Sequence, residues 1–320
     1  RILEGLVPHT NLEELKVDCY RGTKLPDWIL SLSNLVKLSL YELFHLQLLP
    51  ALGKLPFLED LELSCLSSVE RIGEEFYGLS SYGERDSVEQ QIVFPRLKKL
   101  IFIRMDFWNE WDLPYPNGNK IDFFPNLVEL DIEDCNRLQV LPLGLGMLKS
   151  LESLKLTLLT SLEGETIPEL KMDSMSTTSI TIFPCLRNLR IDNCPKLKVI
   201  PFYIFSHGLK ISYYPNLNYF EIYCSSQSSL PEGFNQLTSI RKLYFSYCES
   251  LDFGPDDLKH LTMLEELTIT DCPILAERFR GGGEISSSSS HVYNISIRQI
   301  RPIRPEPINV HTGIGCDNCK

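Results

Sequence analysis

The stretch Asn126-Leu127-Val128-Glu129-Leu130-Asp131-Ile132-Glu133-Asp134-Cys135 sets apolar Leu127, Leu130 and Ile132 among outward-compatible Glu129, Asp131 and Glu133. Strict alternation over Glu129 to Glu133 is the signature of a half-buried strand. One strand of that length cannot bury its apolar side alone. The sequence solves this by repetition. The same L-x-x-L-x-L/I pattern begins at Leu12, Leu35, Leu58, Leu97, Leu127, Leu151, Leu186, Leu217, Ile240 and Leu264, at spacings of 23, 23, 39, 30, 24, 35, 31, 23 and 24 residues.

Two further units recur between these strands. Leu25-Pro26, Leu49-Pro50, Leu141-Pro142, Ile200-Pro201 and Leu230-Pro231 fall 13 or 14 residues after a strand begins. Proline fixes φ and removes a donor, so each pair predicts the turn into a short helix or 3₁₀ segment. Phe94-Pro95, Phe124-Pro125, Phe183-Pro184 and Tyr214-Pro215 each precede a strand leucine. There the aromatic ring is expected to plug the core while proline extends the chain. The long spacings contain polar insertions, Ser80–Gln91, Asp112–Asp122 and roughly Glu163–Ser179, which are expected to form surface loops.

The short spacings match the leucine-rich-repeat period of about 20–29 residues. The expected fold is an α/β leucine-rich-repeat solenoid (a horseshoe) of about ten irregular repeats, with a parallel sheet on its concave face. The solenoid is assigned to residues 1–275. A Gly/Ser linker over 276–290 follows, then a capping strand and Pro-rich extension over 291–310, and a distinct terminal stretch over 311–320. Within each strand the pattern residues face the core and the interleaved residues face out. Among the outward residues are Asn188, Arg190, Asp192 and Glu221. Two groups stand out as a partner-binding surface: an acidic group of Asp60, Glu62, Glu129, Asp131 and Glu133, and an aromatic group of Tyr219, Tyr223 and Tyr244.

The 320 residues are 43% hydrophobic and carry a net charge of -11, a balance that argues against a nucleic-acid partner. No apolar run is long enough for a membrane helix, and the first residues have no signal-peptide architecture. The absence of an initiator methionine suggests that the chain starts inside a longer one. Seven of ten cysteines (Cys19, Cys65, Cys135, Cys194, Cys224, Cys248 and Cys272) lie seven or eight residues after a strand's first apolar residue. They are expected to form one line of small buried thiols, not disulfides. No phosphate-binding or nucleophile-elbow motif is present and the six histidines are dispersed, so no enzyme is expected.

Leu25-Pro26-Asp27-Trp28, the run Leu52 to Leu58, Arg71-Ile72-Gly73-Glu74-Glu75-Phe76-Tyr77-Gly78 and the Phe-Pro-x-Leu strand starts resemble one family. They are similar to the leucine-rich-repeat region of plant coiled-coil-type nucleotide-binding leucine-rich-repeat (NLR) disease-resistance proteins. The resemblance covers residues 1 to about 275. It implies a recognition region with a pathogen effector or guarded host protein as partner, which also restrains a nucleotide-binding module lying outside this chain. It further implies a cytoplasmic location, with the nucleus as a second. The alternative is a leucine-rich substrate receptor of a ubiquitin ligase. At the far end, His311-Thr312-Gly313-Ile314-Gly315-Cys316-Asp317-Asn318-Cys319 resembles the opening of a ZZ-type zinc finger. Zinc takes four ligands and Cys316 with Cys319 supplies two. No cofactor is therefore expected in this chain, and zinc only where further ligands follow Lys320.

Overall fold

The computed structural model describes residues 2–6, 8–79, 91–113, 121–163, 179–201, 210–281 and 294–299. Eleven strands form one parallel sheet in chain order. They are β1 (Glu14–Asp18), β2 (Lys37–Tyr41), β3 (Asp60–Ser64), β4 (Lys99–Ile103), β5 (Glu129–Glu133), β6 (Ser153–Thr157), β7 (Asn188–Asp192), β8 (Tyr219–Tyr223), β9 (Lys242–Ser246), β10 (Glu266–Thr270) and β11 (Asn294–Arg298). The register has no slip, so Leu38 lies beside Leu61, Leu61 beside Leu100, and Leu100 beside Leu130. Ten of these strands are the ten repeats read from the sequence. The eleventh pairs with β10 from within the 291–310 segment, and a helix, Pro273–Gly281, runs into the stretch assigned to the Gly/Ser linker.

Burial follows the leucine triads. From Leu35 to Leu264 the first apolar residue of each repeat is buried, as are the second and fourth residues of β2 to β10. Leu12 and Leu15, on the first strand described, are only partly covered. A buried leucine contributes about 1.5–3 kcal/mol, and stacking makes each repeat's burial depend on the next.

The residue seven places after each first leucine has a left-handed backbone in all ten repeats, for example Glu42 (φ 54), Arg104 (φ 51), Asp134 (φ 54) and Tyr247 (φ 56). Its N–H donates to the last residue of the following strand, as Arg104 N does to Glu133 O at 2.9 Å and Asp134 N to Thr157 O at 2.9 Å. This bond is the final rung of each parallel ladder. The next residue, at the eighth place, turns inward. The cysteines thus occupy two rows, not one. Cys135, Cys194, Cys248 and Cys272 sit at the eighth place and are buried. Cys19, Cys65 and Cys224 sit at the seventh with positive φ, and only Cys65 is buried; Cys224 is exposed. Burial pushes the Cys135 thiol up to about 12.

Proline turns lead where expected into 3₁₀ segments at Asp27–Ser31, Leu52–Lys54 and Phe234–Gln236, and into a helical turn at Leu143–Gly146. The residues after Pro201 lie outside the described set. The aromatic plugs are buried and also left-handed, with φ from 47 to 54. Phe94 stacks on Phe124 at 5.0 Å and Phe183 on Tyr214 at 5.2 Å. The hydroxyl that distinguishes Tyr214 from phenylalanine donates to the Pro201 carbonyl at 2.5 Å.

The long repeats come in adjacent pairs, and this changes the reading of the insertions. Their ends are strands, with Gln91–Val93 pairing Ile121–Phe123 and Ser179–Ile182 pairing Lys210–Tyr213. Two neighbouring long returns can satisfy each other's backbone groups, which one long loop beside short ones could not. The interiors of the insertions lie outside the described residues.

Across the strand starts, side chains just before the first leucine bridge to the preceding repeat. Asn126 Nδ2 donates to Pro95 O at 2.7 Å, Ser150 Oγ to Pro125 O at 2.6 Å, and Asn216 Nδ2 to Pro184 O at 2.6 Å.

The left-handed row is directly testable at Arg104, which is exposed. An ordinary residue such as arginine is strained by about 1–2 kcal/mol in this conformation, asparagine less and a β-branched residue more. Arg104→Asn is expected to leave the urea midpoint unchanged or slightly raised. Arg104→Val is expected to lower stability by up to about 1 kcal/mol, the added strain of a β-branched side chain over the arginine it replaces.

Candidate protein-binding face

The first, third and fifth residues of each strand form three rows across the concave sheet. In the first row, register sets Glu14, Lys37, Asp60, Lys99 and Glu129 side by side, with charge alternating at every step. Strands lie about 4.8 Å apart, where like charges in register would repel.

The five acidic candidates do not form one patch. Asp60 and Glu62 lie on β3, and Glu129, Asp131 and Glu133 on β5. Strand β4 stands between them and presents Lys99, Ile101 and Ile103. Lysines also cover the second group: Glu129 pairs with Lys99 at 3.3 Å, and Lys155 pairs with Asp131 at 3.1 Å and with Glu133 at 3.5 Å. Such surface pairs contribute about 0–1 kcal/mol, so they neutralise charge more than they stabilise the fold. Asp131 is nevertheless half-buried, and desolvation raises its carboxyl above the usual value despite the Lys155 hydrogen bond.

The tyrosines do come together. Tyr219 and Tyr244 stack at 5.0 Å, and the Tyr219 hydroxyl donates to Glu221 Oε2 at 2.7 Å. Burial and Glu266 push the Tyr244 hydroxyl up to about 12, and burial with Glu221 also raises that of Tyr219, so both stay protonated at neutral pH. Tyr223 packs against Tyr247 at 5.1 Å, with the Arg190 guanidinium 5.6 Å from the Tyr223 ring centre. Arg190 in turn pairs with Asp192 at 3.3 Å and Glu221 at 3.6 Å. Tyr247 is absent from the aromatic group read from the sequence, although it is 42% exposed. It lies beyond its strand, at the left-handed seventh place. The signal that would have found it is the repeat position itself.

Among the described residues, one group brings metal-capable side chains together: Asp18, Cys19 and Glu42, with ligand atoms within 4.8 Å. The Cys19 thiol donates to Glu42 Oε2 at 3.1 Å, and that bond holds its pKa up at about 12. A protonated thiol is a poor ligand. Cys316 and Cys319, with the rest of the zinc-finger-like stretch, lie outside the described residues. No described helix is long and apolar enough to cross a membrane.

The raised pKa of Asp131 gives a signed pH dependence. Its ionised form is disfavoured in the fold, so its cost is present above the folded pKa and lifts as pH falls through it. Asp131→Asn is expected to have a higher urea midpoint than the unmodified chain at neutral pH. The two should converge at about pH 4, near the free aspartate value.

Two family models match the chain: the R13L1/DRL21 leucine-rich repeats over residues 1–66, and the leucine-rich repeats of RPS2-like plant disease resistance proteins over residues 110–231. The disease resistance RPP13-like protein 1 of Arabidopsis thaliana is 30% identical over 284 residues, which is 86% of this chain and 24% of that protein. Disease resistance protein RGA2 of Solanum bulbocastanum is 35% identical over 138 residues, 42% of this chain and 13% of that protein. The chain thus spans at most about a quarter of the length of these two relatives. Among solved structures, an internalin of Listeria monocytogenes aligns over 92% of this chain and 84% of that one, at 15% identity and a TM-score of 0.33. The chain is a leucine-rich-repeat region similar to those of plant disease resistance proteins.

Proposed function

We propose that this region is the recognition surface of an intracellular plant immune receptor. It senses a pathogen effector or a guarded host protein on its concave face and helps restrain a nucleotide-binding module elsewhere in the receptor. The observation that carries this reading is the tyrosine cluster on β8 and β9, two packed ring pairs around Arg190. Paired rigid aromatics with adaptable polar neighbours have the composition of contact hot spots. Kinship with disease-resistance repeats favours this reading over a ubiquitin-ligase substrate receptor. A protein of this kind works in the cytoplasm, with the nucleus as a second location.

Tyr219→Ala combined with Tyr244→Ala, introduced into the full-length receptor and scored against its cognate effector by leaf cell death, tests the proposal. Loss of two hot-spot rings costs about 2–4 kcal/mol of binding, so recognition should fall at least ~30-fold in effector dose with unchanged protein accumulation. Unaltered recognition by a normally accumulating variant would reject the tyrosine cluster as the contact site.

A further inference from the structure

The four tyrosines and their arginine form one connected chain of contacts. It runs from Tyr247 to Tyr223 at 5.1 Å, and from the Tyr223 ring centre to the Arg190 guanidinium at 5.6 Å. From Arg190 it passes to Glu221 at 3.6 Å, to the Tyr219 hydroxyl at 2.7 Å and to the Tyr244 ring at 5.0 Å. Arg190 is where the two ring pairs meet. Asp192, at 3.3 Å, holds its other side. A planar, always charged guanidinium can serve two carboxylates and lie against a ring at once, which a lysine ammonium cannot.

The polar groups of this cluster are used up internally. Arg190 is shared by Asp192 and Glu221, and Lys242 pairs with Glu266 at 3.7 Å. The Tyr219 hydroxyl is held by Glu221 and the Tyr244 hydroxyl by Glu266. The side chains of Asp192 and Glu221 are only 16% and 12% exposed, so a charge on a partner does not reach them. What stays open is ring surface: Tyr247 is exposed, and Tyr219, Tyr223 and Tyr244 are half-covered. A face whose charges are already matched makes a charged partner give up water for no counter-charge. An apolar group gains from the same burial. Tyr219 and Tyr223 are four residues apart on β8, about 13 Å, so the ring pairs are two contact points on one strand. In an extended segment, residues i and i+4 span that distance and project to the same side.

We infer that Arg190 is a positioning residue that locks the two ring pairs into one platform, and that this platform takes two uncharged apolar side chains of an extended protein segment. The inference rests on the concave face being the recognition surface and adds what that surface reads there.

The test uses the whole chain and a fluorescein-labelled Gly/Ser peptide with tryptophans at i and i+4, followed by fluorescence anisotropy. Peptides with arginine or glutamate at both places are the comparisons. The tryptophan peptide should bind at least ~10-fold more tightly than either. Its affinity should change less than about twofold between about 0.05 and 0.5 M NaCl, because no ion pair crosses the contact. Tyr219→Ala with Tyr244→Ala should weaken it at least ~10-fold, and Arg190→Gln and Arg190→Lys severalfold. Arg190 does not touch Tyr244 directly, yet Tyr244→Ala should cost less affinity in either Arg190 background than in the unmodified chain, since a ring already released has less to lose. Phe57→Ala removes an exposed ring that carries its own arginine, Arg96, on the approach to β3, five strands from β8, and should change nothing.

Equal or tighter binding of a charged peptide, binding of none, or equal loss in the Phe57 and double-tyrosine variants would overturn the platform. Strictly additive costs at Arg190 and Tyr244 would overturn the positioning role. If tryptophan-peptide binding fails while Tyr219→Ala with Tyr244→Ala still abolishes effector recognition, the platform inference falls and the recognition reading stands. The reverse pair of results would keep the platform and remove the immune reading.

Discussion

The last rung of each parallel ladder governs this molecule. After each strand one more residue donates its N–H to the next repeat and itself turns left-handed, which takes the chain out of the sheet; all ten repeats do both. Most residues pay a steric penalty there. The structure accepts that penalty ten times, with residues as unlike as Cys19, Arg104 and Leu158, at the point where the chain leaves the sheet, and the rung there holds the register. Register in turn keeps every leucine of one repeat against its counterpart in the next. A slip of one residue would turn the whole apolar set outward.

The same register shapes the binding face. Residues some 23 to 39 positions apart in sequence become neighbours about 4.8 Å apart in a row. Charge must therefore alternate along a row or be neutralised sideways, and both solutions are present: Glu14 through Glu129 alternate, and Lys155 spans two carboxylates of β5. Where charge thins out, at β8 and β9, tyrosines take over. The Tyr219 and Tyr244 hydroxyls are tied to carboxylates, which leaves their ring faces as the contact surface.

Much of this was legible in the sequence because a ten-fold repeat is a redundant message. The triads named the core residues, the Leu-Pro pairs named the turns, and alternation named the outward rows. Legibility stopped where two chemically similar residues occupy different backbone states. Cys224 and Cys248 differ by one position in their repeats, yet one is exposed and the other buried, because the seventh place is itself left-handed and the eighth turns inward. The acidic group divides in two for a simpler reason. Pooling Asp60 with Asp131 overlooks the repeat between them, whose Ile101 sits on the row that would join them. The insertions looked like independent loops because pairing between the ends of two separate loops leaves no periodic trace.

By itself the sequence determined the repeat number, the parallel solenoid and the identity of the buried leucines, since these follow from a periodic apolar pattern that only stacking can bury. Only the tertiary structure decided which outward residues meet and which carboxylates are already neutralised. Those outcomes depend on side-chain reach and desolvation across strands distant in the chain, and no local pattern encodes a distance between repeats.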